Sequence, residues 1–542
     1  MKNKKLIKVL ALLCTFVLTS LSFIGCGKKE VDTKPTVEQK IIYNMATEPD
    51  AIDPGKSTSV GAGTVGIACF EGLTRITEKN VPGPGVAKEW TLSDDALVYN
   101  FKLRNDAKWS DGEKVTAKDF DYAWRRVLDP KTASEYANQL FYVKNAKAAF
   151  EGKAKPEDIG IKVIDDYTLE VTLEAPCSYF LELCAFHTLM PVRKDVIEKN
   201  PDSWYTDPAT FIGNGPFKMT KWVHNDSMEF EKNTYYWDAK NIKLDKMKWV
   251  MVNDEMSALA AWEGGAIDFL DSVPGAEAPR LLQEGKLTLT PKLGIYYIRF
   301  NVTKAPFNDP RVRKALTLAV NRQQLIDAVL RTGEKVATAM VPPGIADAGA
   351  GTEFRTVGGD IVPNQDVETA KKLLAEAGYP DGKGFPQVTY LYNTNESHKK
   401  IAEALQDMWK QNLGIEVKLA NQEWKVFLDS QDQLGYECCR SGWIGDYIDP
   451  MTFLDMYVTN DGNNDTGWSN ARYDELIKMA KAEASQEKRM EYMHEAEKIL
   501  MDEMPVGPLY FYVNKSLIKP NIKGIHRTPL GGISFDHAYV EE

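Results

Sequence analysis

A carboxylate set between glycines and large aromatic rings is a receptor for a cation. The stretch Arg440-Ser441-Gly442-Trp443-Ile444-Gly445-Asp446-Tyr447-Ile448-Asp449-Pro450 has that composition. An ionised carboxylate withdrawn from water is costly until a positive partner arrives, so such a site rewards an ammonium that displaces its water. Trp443 and Tyr447 can supply apolar walls and a ring face turned to the cation. The same residues also fit a tight turn in which Asp446 caps a helix and the aromatics are core.

Other chemistry is scarce in this chain. Catalysis calls for a nucleophile with a base, a metal cluster, or two carboxylates in divergent environments. There is no Gly-x-Ser-x-Gly, and His494-Glu495 lacks the second histidine of a zinc protease because position 498 is lysine. The run Asp461 to Asp465 is rich in Asn and Asp, but Thr466 stands where a calcium loop wants glycine. Six dispersed histidines prompt no metal site. The residues therefore point to binding without catalysis, with no cofactor.

Several further motifs occur in order: Phe70-Glu71-Gly72-Leu73, Pro84-Gly85-Val86-Ala87, Trp109-Ser110-Asp111-Gly112, Pro306-Phe307-Asn308-Asp309-Pro310-Arg311-Val312-Arg313 and Asn421-Gln422-Glu423-Trp424. Together with the Gly-Trp-x-x-Asp-Tyr stretch that ends at Tyr447, they resemble the oligopeptide-binding proteins of ABC importers over nearly the whole chain. The resemblance implies an α/β, periplasmic-binding-protein-like fold whose two lobes close about a hinge on an extended peptide. It implies a discontinuous first domain (41–71, 196–297 and 514–542), a second at 72–195 and a third at 298–513. The partners it implies are an oligopeptide and the permease subunits of an ABC transporter, the protein itself being a monomer.

For the site, the resemblance implies that Asp446 takes the peptide ammonium and that Trp443 and Trp424 wall side-chain pockets. Arg440 is placed near the groove, Tyr297 along it, Tyr136 at the ligand's N-terminal end and His398 near the carboxylate end. The extended backbone from Thr58 to Val60 is expected to pair with the peptide. The alternatives are a nickel chelate, haem or sugar on the same scaffold, or a surface hydrolase. Asp446 argues against the first group, which has no α-ammonium, and no catalytic pair supports the last.

The chain also departs from the family. Gln431 stands where some members carry an arginine for a short peptide's carboxylate, and Leu330, beside Arg331, replaces another basic contact. The ammonium end is intact and the carboxylate end changed, so a different length preference, toward longer peptides, is expected. Gly294 and Ile444 occupy positions that are cysteines in some relatives, so that disulfide is absent.

The elements that must position these residues follow from length and pattern. A chain of 542 residues can bury a large core spread over several domains. Lys2, Lys4, Lys5 and Lys8 precede an apolar run from Val9 to Ile24, which reads as a secretory leader over residues 1–25. Phe23-Ile24-Gly25-Cys26 resembles a lipobox, with Cys26 as the lipidated N-terminus of a polar tether over 26–40 and a lasting membrane anchor. Without the leader lysines, 62 basic face 77 acidic residues, a formal charge of −15 that argues against a nucleic-acid partner. Of seven cysteines, Cys69, Cys177, Cys184, Cys438 and Cys439 remain, an odd set without zinc spacing that reads as buried thiols.

Along the chain, Ile41 to Met45 reads as a strand. The glycine run Gly61 to Gly66 mimics a dinucleotide fingerprint but lacks a strand directly before it. Thr116 to Asp119 opens a capped helix, and Ile161 to Ile164 with Thr168 to Leu173 make a hairpin. Ile295 to Asn301 is a strand, and Asp309-Pro310 caps a helix with Val312, Leu316, Ala319 and Val320 inward. Val388 to Tyr392, a helix from about His398 to Gln411 stopped at Gly414, and Ile415 to Leu419 form a β-α-β unit with parallel strands. Trp424 to Ser430 is a short helix. Met490, Met493, Ile499 and Leu500 stripe another ended by Pro505, and Pro508 to Val513 is the last strand.

Overall fold

The computed structural model describes residues 37–542. The leader, Cys26 and most of the tether lie outside the described residues. Residues 39–542 form one compact unit.

Two long strands organise it. Leu287–Phe300 and Val506–Ile518 run antiparallel to each other at the centre of an 11-stranded mixed sheet, in which the two-residue strand Lys335–Val336 also pairs with Val506–Ile518. On one side the sheet continues through Cys438–Ile444, Val388–Asn393 and Val417–Gln422. On the other it continues through Phe269–Leu270, Lys40–Asn44, Lys246–Val250, Ser227–Lys232 and Phe217–Val223. Gly294 to Phe300 is buried throughout, because a central strand is covered on both faces. The expected strand is thus longer than its apolar stretch: its first half alternates in burial and pairs with Val513 to Leu517 across an irregularity between Pro291 and Ile295. The expected domain boundaries at 297/298 and 513/514 fall inside these two continuous strands.

Several expected elements are present. Val388–Asn393 and Val417–Gln422 are parallel neighbours joined by the helix Glu396–Leu413, which Gly414 ends at a φ of 69°. Asp309 caps Pro310–Leu318 by accepting from the Arg311 N–H, and Val312, Leu316, Ala319 and Val320 are fully buried. A separate four-stranded sheet holds Ala87–Leu92, Val98–Leu103, Thr168–Thr172 and Ile161–Asp165. The helix Ala117–Val127 packs beside it, its Thr116 N–H donating to Asp119 at 2.7 Å.

Two corrections concern the ends of elements. Val506–Ile518 is not the last strand: four two-residue strands follow it, ending with Tyr539–Val540. The glycine run lies inside the helix Val60–Cys69, capped by Ser59 and preceded by irregular chain, so it opens a helix without the strand that phosphate binding needs. All five described cysteines are free and buried. Near the chain's two ends, Gln39 exchanges hydrogen bonds with Val540, donating to its carbonyl at 2.9 Å and accepting from its N–H at 3.0 Å. No described helix is long and apolar enough to cross a membrane.

Candidate functional site

A cavity of about 440 Å³ lies between segments 45–76, 135–136 and 182–190 on one side and 424–446 and 463–465 on the other. Its size is that of a ligand pocket. Asp446 lines it at the end of the strand Cys438–Ile444, and the local sequence dictates its placement. A Cβ on Gly445 would meet Phe453 and Thr452 at 3.2 Å, so a glycine lets the chain turn tightly off the strand. The Asp446 N–H donates to Thr452 Oγ1 at 3.0 Å. Asp449 holds the loop from below through a buried two-pronged pair with Arg489, at 2.7 and 2.8 Å.

The Asp446 carboxylate accepts from Tyr136 Oη at 3.1 Å and Gln139 Nε2 at 2.9 Å, both from the opposite side of the cavity. No cation pairs with it among the described residues. Burial, then the nearby Asp455 charge, push its carboxyl well above the ordinary range against the help of those donors. Burial likewise raises the Tyr136 phenol, which stays a donor. The arrangement is a carboxylate with two neutral donors and an unmet need for positive charge.

Trp443 and Trp424 line the cavity as expected, and the Trp443 Nε1 is buried without an acceptor. Arg440 also lines it, its guanidinium 5.5 to 5.7 Å from the rings of Tyr296, Trp424 and Phe427. Arg440 has no carboxylate partner among the described residues. Thr58 lines the wall in irregular chain, but Val60 does not continue an extended run: it is the first residue of a helix, because Ser59 caps it. Helical φ/ψ there leaves no strand-like edge at Val60 itself, whose exposed side chain faces the cavity.

Three expected positions lie off the wall. Tyr297 is fully buried, its hydroxyl 3.4 Å from Arg299 Nη2, so it supports the wall from beneath. Tyr447 is core, stacked on Tyr179 with ring centroids 4.3 Å apart. His398 sits behind Arg440 and accepts at Nε2 from its Nη2 at 3.0 Å. A guanidinium only donates, so the proton is on Nδ1, facing Tyr296 Oη at 3.3 Å. Burial and then the Arg440 charge hold His398 well below its ordinary range, hence neutral.

Sequence reasoning missed Glu135, Gln139, His187, Arg299, Asp432 and Asp465. His187 lines the cavity, its Nε2 donating to the Ser57 carbonyl at 3.0 Å. Its ring lies against Gly63 and Gly66, where a Cβ would come within 3.4 and 3.1 Å. That close approach is what the glycine run serves. Arg299 is ion-paired with Asp465 at the cavity base.

Residues 81–465 match the family described as bacterial extracellular solute-binding proteins, family 5. The chain belongs to that family. Solute-binding proteins of family 5 act outside the cytoplasm, and its members are binding proteins rather than enzymes. An oligopeptide-binding protein OppA of Bacillus subtilis is 39% identical over 556 residues, covering 100% of both chains. The structure of Haemophilus influenzae OppA in complex with RPPGFSPFR has a TM-score of 0.87 at 34% identity, covering 93% of this chain and 99% of that one. The Escherichia coli murein tripeptide-binding protein MppA has a TM-score of 0.86 at 36% identity, with the same coverage of 93% and 99%. For an unliganded open form of MppA the score falls to 0.61, at 35% identity and 93% and 98% coverage. This chain thus superposes less well on that open form than on the other MppA structure.

Proposed function

We propose that this protein captures oligopeptides in extended conformation between two closing lobes and delivers them to an ABC permease. The observation that carries this reading is Asp446: a half-buried carboxylate on the cavity wall, bridged by Tyr136 and Gln139, with no cation partner among the described residues. A peptide's α-ammonium is the group that completes it. Arg440, oriented by the neutral His398, receives the carboxylate end. Trp424 and Trp443 wall side-chain pockets, and Thr58 offers its main chain. Because Asp446 bonds across the cavity, ligand binding and closure are linked, the ligand paying out its differential affinity for the closed state.

The lobes in this reading are the three-domain arrangement with breaks at 297/298 and 513/514, inside the two long strands. Attachment is through lipid on Cys26, and the protein acts as a monomer. Its relatives are named for oligopeptide and dipeptide binding, which supports the ligand class.

The test is native mass spectrometry of the protein as purified, followed by acid release and sequencing of what is bound. Mixed peptides with one dominant length are expected. A haem, a nickel chelate or a sugar as the sole bound mass would refute the reading.

A further inference from the structure

The cavity carries more acid than one ammonium needs. Seven carboxylates line it against three guanidinium groups. Several are committed elsewhere: Glu71 accepts from Tyr236 and Trp237, Glu182 accepts from the Ile448 N–H, and Asp465 is paired with Arg299. Glu135 and Asp432 are not. Neither has an ion pair or a side-chain hydrogen bond among the described residues, and they stand on opposite sides of the cavity. Withdrawal from water at the cavity wall, then the charges of Asp432 and Asp465, push Glu135 up to about 8; the same withdrawal, then the charge of Asp465, pushes Asp432 up to about 7. Asp50 and Asp429 add to this field, and the Arg299 charge opposes it.

Gln431 supplies an independent observation. Its side chain is 5% exposed, and its Nε2 donates to Cys439 Sγ at 3.3 Å and to the Arg440 carbonyl at 3.1 Å. That carbonyl can only accept, which fixes the orientation of the amide. Oε1 is left with no protein donor on a residue that lines the cavity. That oxygen is open to the cavity and free to accept from a ligand. At this point of the wall the chain therefore presents an acceptor.

We propose that Glu135, Asp432 and Gln431 Oε1 form a subsite for a basic side chain, lysine or arginine, of the bound peptide. The inference rests on the peptide reading above and adds a side-chain class to it. An ammonium, with three donors, or a guanidinium, with five, can reach all three acceptors and brings a positive charge to the two unpaired carboxylates. A carboxylate there meets like charge, and an apolar chain leaves the acceptors unmet. Glu135 adjoins Tyr136, the donor to Asp446, so the basic side chain belongs to a residue near the peptide's N-terminus.

The test is isothermal titration of the full chain, stripped of ligand, with peptides of one length in which lysine, norleucine or glutamate is moved along the sequence. At one position near the N-terminus, lysine is expected to bind roughly 10- to 100-fold more tightly than norleucine, the range for a close charge pair in a partly desolvated pocket. Glutamate there binds more weakly than either. Asp432 is exposed to the cavity, so Asp432→Asn is tolerated by the fold, and it narrows the lysine-to-norleucine ratio by about threefold or more. The ratio is internal to each variant, so general weakening cancels. Lysine and norleucine binding within about twofold at every position overturns the subsite and leaves peptide capture standing. An undiminished ratio in both Asp432→Asn and Glu135→Gln also overturns it. Binding of no peptide at all overturns the peptide reading and the subsite together.

Discussion

Replacing Asp446 by asparagine should move affinity and stability in opposite directions. The substitution is nearly isosteric: the amide Oδ1 still accepts from Gln139 and its Nδ2 can donate to the Tyr136 oxygen, so the contacts across the cavity persist. What disappears is the charge. At roughly 3 Å and an effective dielectric near 20, an ammonium and a carboxylate attract by about 5.5 kcal/mol. Leaving one member of a buried pair alone costs about 3 to 5 kcal/mol, so affinity should fall by about two to three and a half decades.

Stability takes the other sign. In the empty fold the Asp446 carboxyl is raised above its unfolded value, so its favourable contribution is complete below the unfolded pKa and is lost as pH rises through the folded one. At neutral pH and above, the neutral amide escapes that loss, and the ligand-free variant should melt higher than the parent. The assay pairs titration calorimetry with melting of stripped protein, using one peptide with a free and with an acetylated N-terminus. Acetylation should cost the parent protein about what the substitution costs, and should cost the variant little. A variant that binds the free peptide as tightly as the parent, or that melts lower when empty, would refute the reasoning.

Three further outcomes are expected. Peptide affinity should fall as pH is lowered through the raised Asp446 pKa, because a proton then competes with the ammonium, and calorimetry in buffers of different ionisation enthalpy should register proton release on binding. Tyr136→Phe keeps the ring contacts with Phe186, His187 and Trp443 but removes one donor to the carboxylate, costing about 1.5 to 3 kcal/mol of peptide affinity with little change in melting of the empty protein. Asp449→Asn leaves the buried Arg489 unpaired and should lower unfolding free energy by about 3 to 5 kcal/mol in chemical denaturation.

How far the sequence reaches depends on the range over which each feature is determined. The unit from Val388 to Gln422 was legible because local signals agree: alternating apolar strands, a helical stripe and a glycine stop at Gly414. Asp446, Trp443, Trp424, Arg440 and Tyr136 were legible through an ordered set of motifs, and the structure brings them to one cavity. Tyr296 and Tyr297 were not separable, since adjacent residues on a strand point to opposite faces and both are fully buried. Val60 was misread because helix onset at Ser59 depends on a single cap within a glycine-rich run. Glu135, Asp432 and Asp465 lie in unremarkable local sequence and meet only through the fold, so no periodicity announces them. The full length of Leu287–Phe300 escaped notice because its first half alternates and contains Pro291, and only its pairing with Val506–Ile518 defines it as strand.

The hydrogen bonds between Gln39 and Val540 bear on how the molecule can be rebuilt. Two points that far apart in the chain and joined in space make the order of its segments a matter of descent rather than necessity. A flexible bridge of a few residues, spanning roughly 5 to 6 Å times the square root of its length, would close the described body into a ring. Fresh ends could then be cut at an exposed glycine turn such as Gly152 or Gly351, where an added side chain would meet nothing. Such a permuted chain would keep both long strands whole. Its new ends would lie at a glycine turn with open space around it, where the protein could be fixed to a surface.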